Sequence, residues 1–396
     1  MLEHAPKVRL VSILDNDFYK FTMQNAVVKL FPSQVVKYQF INRGKHKYPQ
    51  GFAEELKKSV EAMASLQLTK EEKKFLMDKC PYLRLPYIDF LQGYRYDPSE
   101  VEIIQNGDDL QVSVQGLWYR TILWEVPLLS IISELYYIMT GAKRNSDEEI
   151  IATTIEKEKR FKSLNVSFAE FGTRRRHSYE VHRLVMQALV SEKNSTFTGT
   201  SNVHMAMLYN VKPIGTHAHE WFMFHAAEYG FKMANTLSLE GWVDVYRGDL
   251  GVALSDTYTS DVFFRQFDKK FTKLFDGVRH DSGDPIEFAK KTIRHYEANG
   301  INPLFKYIIF SDGLYPDKVE EIANFCRGKI GMSFGIGTNL TNDVGLPASN
   351  IVMKLVGVKG MNNKWIPTVK LSDEKEKYTG DPKMIELAKE FLQIED

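Results

Sequence analysis

Two rhythms of apolar and polar positions divide the chain. From residue 1 to about 145 the pattern is mixed. Residues 37–42 alternate as a strand does, Phe52–Met63 and residues 69–77 carry helical spacing, and residues 101–114 read as strands around an Asn106-Gly107 turn. This predicts a smaller N-terminal α+β domain over residues 1–145, to which the C-terminal segment is a candidate addition. Residues 145–164 predict a charged helix capped by Ser146 that leads into the second rhythm. Over residues 146–396 short strand-like runs end in small polar residues and pass into helical stretches. The runs are TFTGTSN, KPIGTHAH, GVALSDTY, DGVRHDSGDP, YIIFSDG, MSFGIGTN and VMKLVGV, with the helices clearest at 220–236, Pro285–Ala298 and 316–327. Alternation of this kind predicts parallel βαβ units. About seven units predict an α/β fold with a closed or nearly closed parallel barrel, its chemistry at the C-terminal strand ends.

Composition adds exclusions. With 43% hydrophobic and 26% charged residues, 51 basic against 51 acidic, the chain is an ordinary folded protein of two-domain length. Zero net charge disfavours a dedicated nucleic-acid or membrane-surface binder. Cys80 and Cys326 are too few for a disulfide framework or a cysteine zinc site, and the N-terminus has no signal-peptide core, so a cytoplasmic setting is expected. The most apolar stretch, residues 122–139, is interrupted by Glu125, Pro127 and Glu134 and reads as a buried helix.

The strand ends carry the candidate chemistry. Gly335-Ile336-Gly337-Thr338 would let backbone N–H groups approach a phosphate, or is a plain turn. Ser311-Asp312-Gly313 is a turn with capping or places Asp312 on ribose hydroxyls. In Arg279-His280-Asp281-Ser282-Gly283-Asp284, Asp284 suits an N-cap and Asp281 is free to face the mouth, where it would hold ribose or a Mg²⁺ bridging a pyrophosphate. Arg174-Arg175-Arg176 is a solvated run, a basic patch or an anion pocket. In Thr216-His217-Ala218-His219-Glu220, the spacing lacks a third zinc ligand. A nucleophilic His held by Glu220 or another carboxylate is better motivated. The chain has no Walker run, so any ATP binds without one.

Taken together, DNDFYKFTM, FAEFGTRRRHS, FTGTSN, GTHAHEW, GVRHDSGDP, FSDGL and FGIGTNL, in this order from about Asp15 to Leu340, resemble the nicotinate phosphoribosyltransferase family. The resemblance implies an irregular type II phosphoribosyltransferase barrel with a smaller domain, in a homodimer whose active sites lie at the interface. It implies that Tyr19 reaches into the partner's site and sandwiches a pyridine ring with Phe171. Thr216 and Arg279 then contact nicotinate. Arg174, Arg175, Asp312, Gly313, Gly337 and Thr338 serve 5-phosphoribosyl 1-pyrophosphate, and His219 is phosphorylated by ATP, with Mg²⁺ as cofactor. Ser201 stands where nicotinamide enzymes carry an acid, and its neutrality favours nicotinate. The competing readings are a nicotinamide or quinolinate enzyme, or a non-catalytic nucleotide-binding barrel.

Overall fold

The chain's strands sort into two sheets by how their apolar residues are spaced. In the computed structural model, which describes residues 5–394, Val35–Asn42 pairs antiparallel with Asp109–Leu117 on one side and with Ile351–Lys359 on the other. Val101–Asn106 and Trp365–Pro367 complete a five-stranded sheet. The run VMKLVGV is therefore not a barrel strand, as its position in the chain suggests. Ile351, Met353 and Leu355 are buried while Val352 and Lys354 between them and Val356 after them are half-buried, the alternation of an antiparallel strand with one face on the core, and Val352 and Lys354 line a cavity.

The second sheet is parallel and has seven strands. Their order is Lys212–Pro213, Phe197–Thr200, Ser167–Glu170, Gly331–Ile336, Tyr307–Phe310, Gly277–His280 and Val252–Leu254. The strand missed from sequence is Ser167–Glu170, only four residues long and overshadowed by the arginines that follow it. The sheet is curled and nearly closed. Thr216 Oγ1 donates to Val252 O at 3.2 Å, and Leu254 N–H donates to His217 Nε2 at 3.2 Å, so side chains stitch the two edge strands together.

Local signals place the helices. Ser146 caps Asp147–Ser163 in a capping box with Glu149, and Asp284 accepts from the N–H groups of Ile286 and Glu287, both at 2.8 Å. The helix expected over 220–236 ends earlier. His219–Tyr229 stops at Gly230, whose φ of 84° leaves the helical region, and Ala234–Tyr246 starts anew. The segment Trp118–Thr140 is long and apolar enough to cross a membrane, yet 78% of its most apolar window is buried inside this fold.

Candidate active site

Two neighbouring barrel strands supply a pair of carboxylates, and the start of a helix supplies an imidazole between them. Gly277–His280 runs into Asp281, Val252–Leu254 runs into Ser255-Asp256-Thr257, and His219 opens His219–Tyr229. His219 is 8% exposed. Its Nε2 lies 3.0 Å from Asp281 Oδ2 and 3.9 Å from Asp256 Oδ1, and its Nδ1 lies 3.0 Å from Thr257 Oγ1. A carboxylate only accepts, so Nε2 carries the proton, and the Thr257 hydroxyl donates to the Nδ1 lone pair. Burial, reinforced by Lys370, pushes His219 down to about 4 against the pull of Asp256 and Asp281, so the ring is neutral near pH 7. Asp281 feels burial in the opposite sense, but the Arg279 guanidinium, the His219 hydrogen bond and Lys370 together outweigh it and hold the carboxyl well below its usual range.

The other member of the histidine pair has a packing role. His217 accepts from the backbone and meets the Trp242 ring edge-on at 4.7 Å. Glu220 does not hold His219. Its carboxylate turns to Lys20, 2.5 Å away, and accepts from the Tyr38 hydroxyl at 3.3 Å. Among the described residues, the group with its ligand atoms close enough to share a cation is His219, Asp256 and Asp281, all within 4.8 Å of one another.

Around this centre lie three cavities. The largest, about 630 Å³, is lined by His219, Arg279, Asp281, Arg174, Arg175, Asp312 and Gly313. A second of about 370 Å³ adjoins it at Arg175 and Gly313 and contains Gly337 and Thr338. A third of about 470 Å³ contains Phe171 and Thr216 and shares Tyr19 and Arg279 with the first. Arg279 donates from Nε to Ser311 Oγ and from Nη2 to Asp281 Oδ1, both at 2.9 Å. Arg174 stands 5.9 Å over the Tyr19 ring and 3.5 Å from Glu125 Oε1. Burial and the cations of Arg174 and Arg43 lower Arg175 to about 10 against the pull of Asp312 and Asp281. Arg176 points elsewhere, forked onto Asp15 at 2.7 and 2.8 Å.

Ser201 lines none of these cavities. It is fully buried and donates to Asp17 Oδ1 at 2.7 Å, so it lies behind the site rather than in it. Tyr19 lines one cavity with Phe171 of the same chain, and Gly215 lets the run after Pro213 close onto it: a Cβ there would stand 2.9 Å from Tyr19 N. Asp312, expected on ribose hydroxyls, accepts from Lys377 Nζ at 2.9 Å.

Sequence reasoning passed over Asp256, Thr257, Arg43, Lys354 and Lys370. Asp256 had a readable signal, a Ser-Asp pair after a strand in the same slot as Asp281. The lysines and Arg43 had a weaker one. Lys354 interrupts an apolar strand, and burial with the nearby cation of Lys370 lowers it to about 7.

Comparisons agree along the chain. Residues 14–133 match the model of the nicotinate phosphoribosyltransferase (NAPRTase) N-terminal domain, and residues 166–396 that of the nicotinate phosphoribosyltransferase (NAPRTase) family. A nicotinate phosphoribosyltransferase of Chromohalobacter salexigens is 60% identical over 97% of this chain and 99% of its own. One from Desulforapulum autotrophicum is 48% identical over 93% and 95%. The crystal structure of nicotinate phosphoribosyltransferase from Porphyromonas gingivalis superposes with a TM-score of 0.95 at 47% identity, covering 98% of this chain and 100% of that one.

Proposed function

We propose that these joined cavities are where this chain, which belongs to the nicotinate phosphoribosyltransferase family, transfers the ribosyl phosphate of 5-phosphoribosyl 1-pyrophosphate to nicotinate, the first step of NAD synthesis from nicotinate. The observation that carries the placement is the meeting, at Arg279 and Tyr19, of an aromatic cavity with a cation-lined one. The first suits a flat pyridine ring bearing a carboxylate. The second suits a polyphosphate.

In this reading Tyr19 and Phe171 pack on the ring, Thr216 borders it, and Arg279 receives its carboxylate. The pyridine nitrogen uses its own lone pair to form the bond to the ribose C1 carbon, so no base is needed. The bond from C1 to the pyrophosphate oxygen breaks, and its electron pair leaves with pyrophosphate. Arg174 and Arg175, with Arg43, Lys354 and Lys370 on the same walls, stabilise that charge. Each charge-assisted hydrogen bond contributes about 1.5–3 kcal/mol. Gly313, Gly337 and Thr338 would seat the 5′-phosphate, and Asp312 would exchange Lys377 for ribose hydroxyls.

Mg²⁺ fits the donors present. Asp256 Oδ1 is buried without a hydrogen-bond partner, and Asp281 stands beside it, so the two carboxylates would hold the ion. When bound it would supply positive charge to the pyrophosphate oxygens. ATP coupling belongs to the same proposal. The neutral His219 ring, oriented by Asp281, attacks the γ-phosphorus with Nδ1 once the Thr257 hydroxyl turns away from that nitrogen; the bond from the γ-phosphorus to the bridging oxygen breaks as ADP leaves, and water later releases the phosphate. The pair of free, buried thiols suits the cytoplasmic setting we assign. We also assign a homodimer, to be read by sedimentation.

The test is nicotinate-dependent formation of mononucleotide and pyrophosphate with Mg²⁺, with and without ATP. ATP should stimulate the wild type and leave an acid-labile phosphate on it, while His219→Asn keeps only slow, ATP-independent transfer. Use of nicotinamide or quinolinate instead would overturn the substrate assignment. Indifference of the wild type to ATP would overturn the role of His219.

A further inference from the structure

Ser311 lines all three cavities described above. It owes that place to strand register. Tyr307–Phe310 runs parallel to Gly277–His280 with Ile309 beside Arg279, and the ladder continues one residue further as Ser311 N–H donates to His280 O at 3.1 Å. The side chain therefore projects at the strand end next to both Arg279 and Asp281. Its oxygen accepts from Arg279 Nε at 2.9 Å, and its proton goes to Asp281 Oδ1 at 2.6 Å, with His280 O at 3.0 Å as the other acceptor. Arg279 Nη2 donates to the same Asp281 oxygen at 2.9 Å.

A guanidinium presents two forked edges, one formed by Nε and Nη2 and the other by Nη1 and Nη2. Ser311 and Asp281 together occupy the first edge. Among the described residues Nη1 has no hydrogen-bond partner, so the second edge is the fork left for a ligand. We propose that Ser311 is a positioning residue for carboxylate selectivity. It pins Arg279 by its inner edge so that the outer edge meets the substrate carboxylate in plane. The inference rests on the reading that Arg279 receives that carboxylate.

Without the hydroxyl, Arg279 is held at Nη2 alone and its plane can tilt. A two-point planar contact tolerates tilt poorly, whereas the phosphate contacts of Arg174 and Arg175 do not depend on it. The loss should therefore fall on nicotinate and not on 5-phosphoribosyl 1-pyrophosphate. The experiment is steady-state kinetics of the full-length enzyme as wild type, Ser311→Ala and Ser311→Thr, varying each substrate in turn. In Ser311→Ala the KM for nicotinate should rise about tenfold, the scale of one charge-assisted hydrogen bond, while the KM for 5-phosphoribosyl 1-pyrophosphate stays within about threefold, the spread left when no such bond is lost. Ser311→Thr, which keeps the hydroxyl, should restore the nicotinate value. A merely structural role would move both KM values together. That result, an unchanged nicotinate KM in Ser311→Ala, or a Ser311→Thr enzyme with its nicotinate KM raised, would overturn the proposal, and the threonine variant decides the matter alone if the alanine variant does not fold. A wild type that consumes no nicotinate would overturn the underlying reading and this inference with it.

Discussion

The glycines of Gly335-Ile336-Gly337 serve different ends, although both look like room for a phosphate. A Cβ on Gly335 would stand 3.2 Å from Phe171 Cδ2, so this glycine makes space for an aromatic ring. At Gly337 the nearest atom is Phe171 O at 3.6 Å, ordinary contact, and Gly337 borders the cavity that holds Thr338. Gly335→Ala should press the Phe171 ring toward its cavity, raising the KM for nicotinate severalfold. The stability cost should be only about 1 kcal/mol, at the low end for overpacking, because a ring beside a cavity can yield. Kinetics together with urea unfolding would check this, and an unchanged KM would separate Phe171 from the substrate. The arginine run shows where single residues stop being legible. In sequence its three members are equivalent. The turn Thr173–Arg175 and the bidentate pairing of Arg176 with Asp15, 161 positions away, decide which two face the cleft. A pairing over that distance leaves no local pattern to read.

At the scale of elements, what the chain announces by caps and alternation came through, and what depends on partners did not. Thr69 and Ser146 both signal helix starts and both form capping boxes. The strand Ile351–Lys359 was placed in the wrong sheet because its neighbour in space, Val35–Asn42, lies more than 300 residues earlier. The expected helix over 220–236 overran Gly230 because a glycine inside an apolar stretch does not by itself show its φ. Glycine matters differently at Gly277. A Cβ there would lie 2.2 Å from Tyr307 O, a backbone atom of the paired strand that cannot swing aside. Gly277→Ala must part the two strands that carry Arg279 and Ser311. The expected loss is above about 3 kcal/mol, the upper end for overpacking, seen as a lowered urea midpoint or as insoluble protein. A variant as stable as the wild type would show that this ladder can shift.

For the molecule as a whole, zero net charge concealed a strongly charged seam. Arg43 and Lys354 reach the cleft from the antiparallel sheet, and Arg174, Arg175 and Arg279 from the barrel, so the basic pocket exists only once the two sheets face each other. The same burial that builds the site makes the fold sensitive to acid. His217 is lowered to about 3, and His177, His219 and His225 to about 4, mainly because burial penalises their charged forms. Between those values and the ordinary 6.5 the unfolded chain binds a proton at each ring and the folded chain does not, so stability falls as pH drops through that window. From pH 7 to 5.5 each ring should cost about 1.2 kcal/mol, or about 5 for the four. Asp373 works the other way. Burial raises it to about 6, so its protonation in the folded state gives back just under about 1 kcal/mol over the same interval. Urea unfolding at the two pH values should therefore differ by about 4 kcal/mol, with the protein weaker at pH 5.5. Because His219 contributes one ring to that difference, His219→Asn should shrink it by about a third. If the variant shows the full difference, His219 titrates in the folded enzyme as it does in the unfolded chain, and burial is not what keeps its ring neutral for attack on ATP.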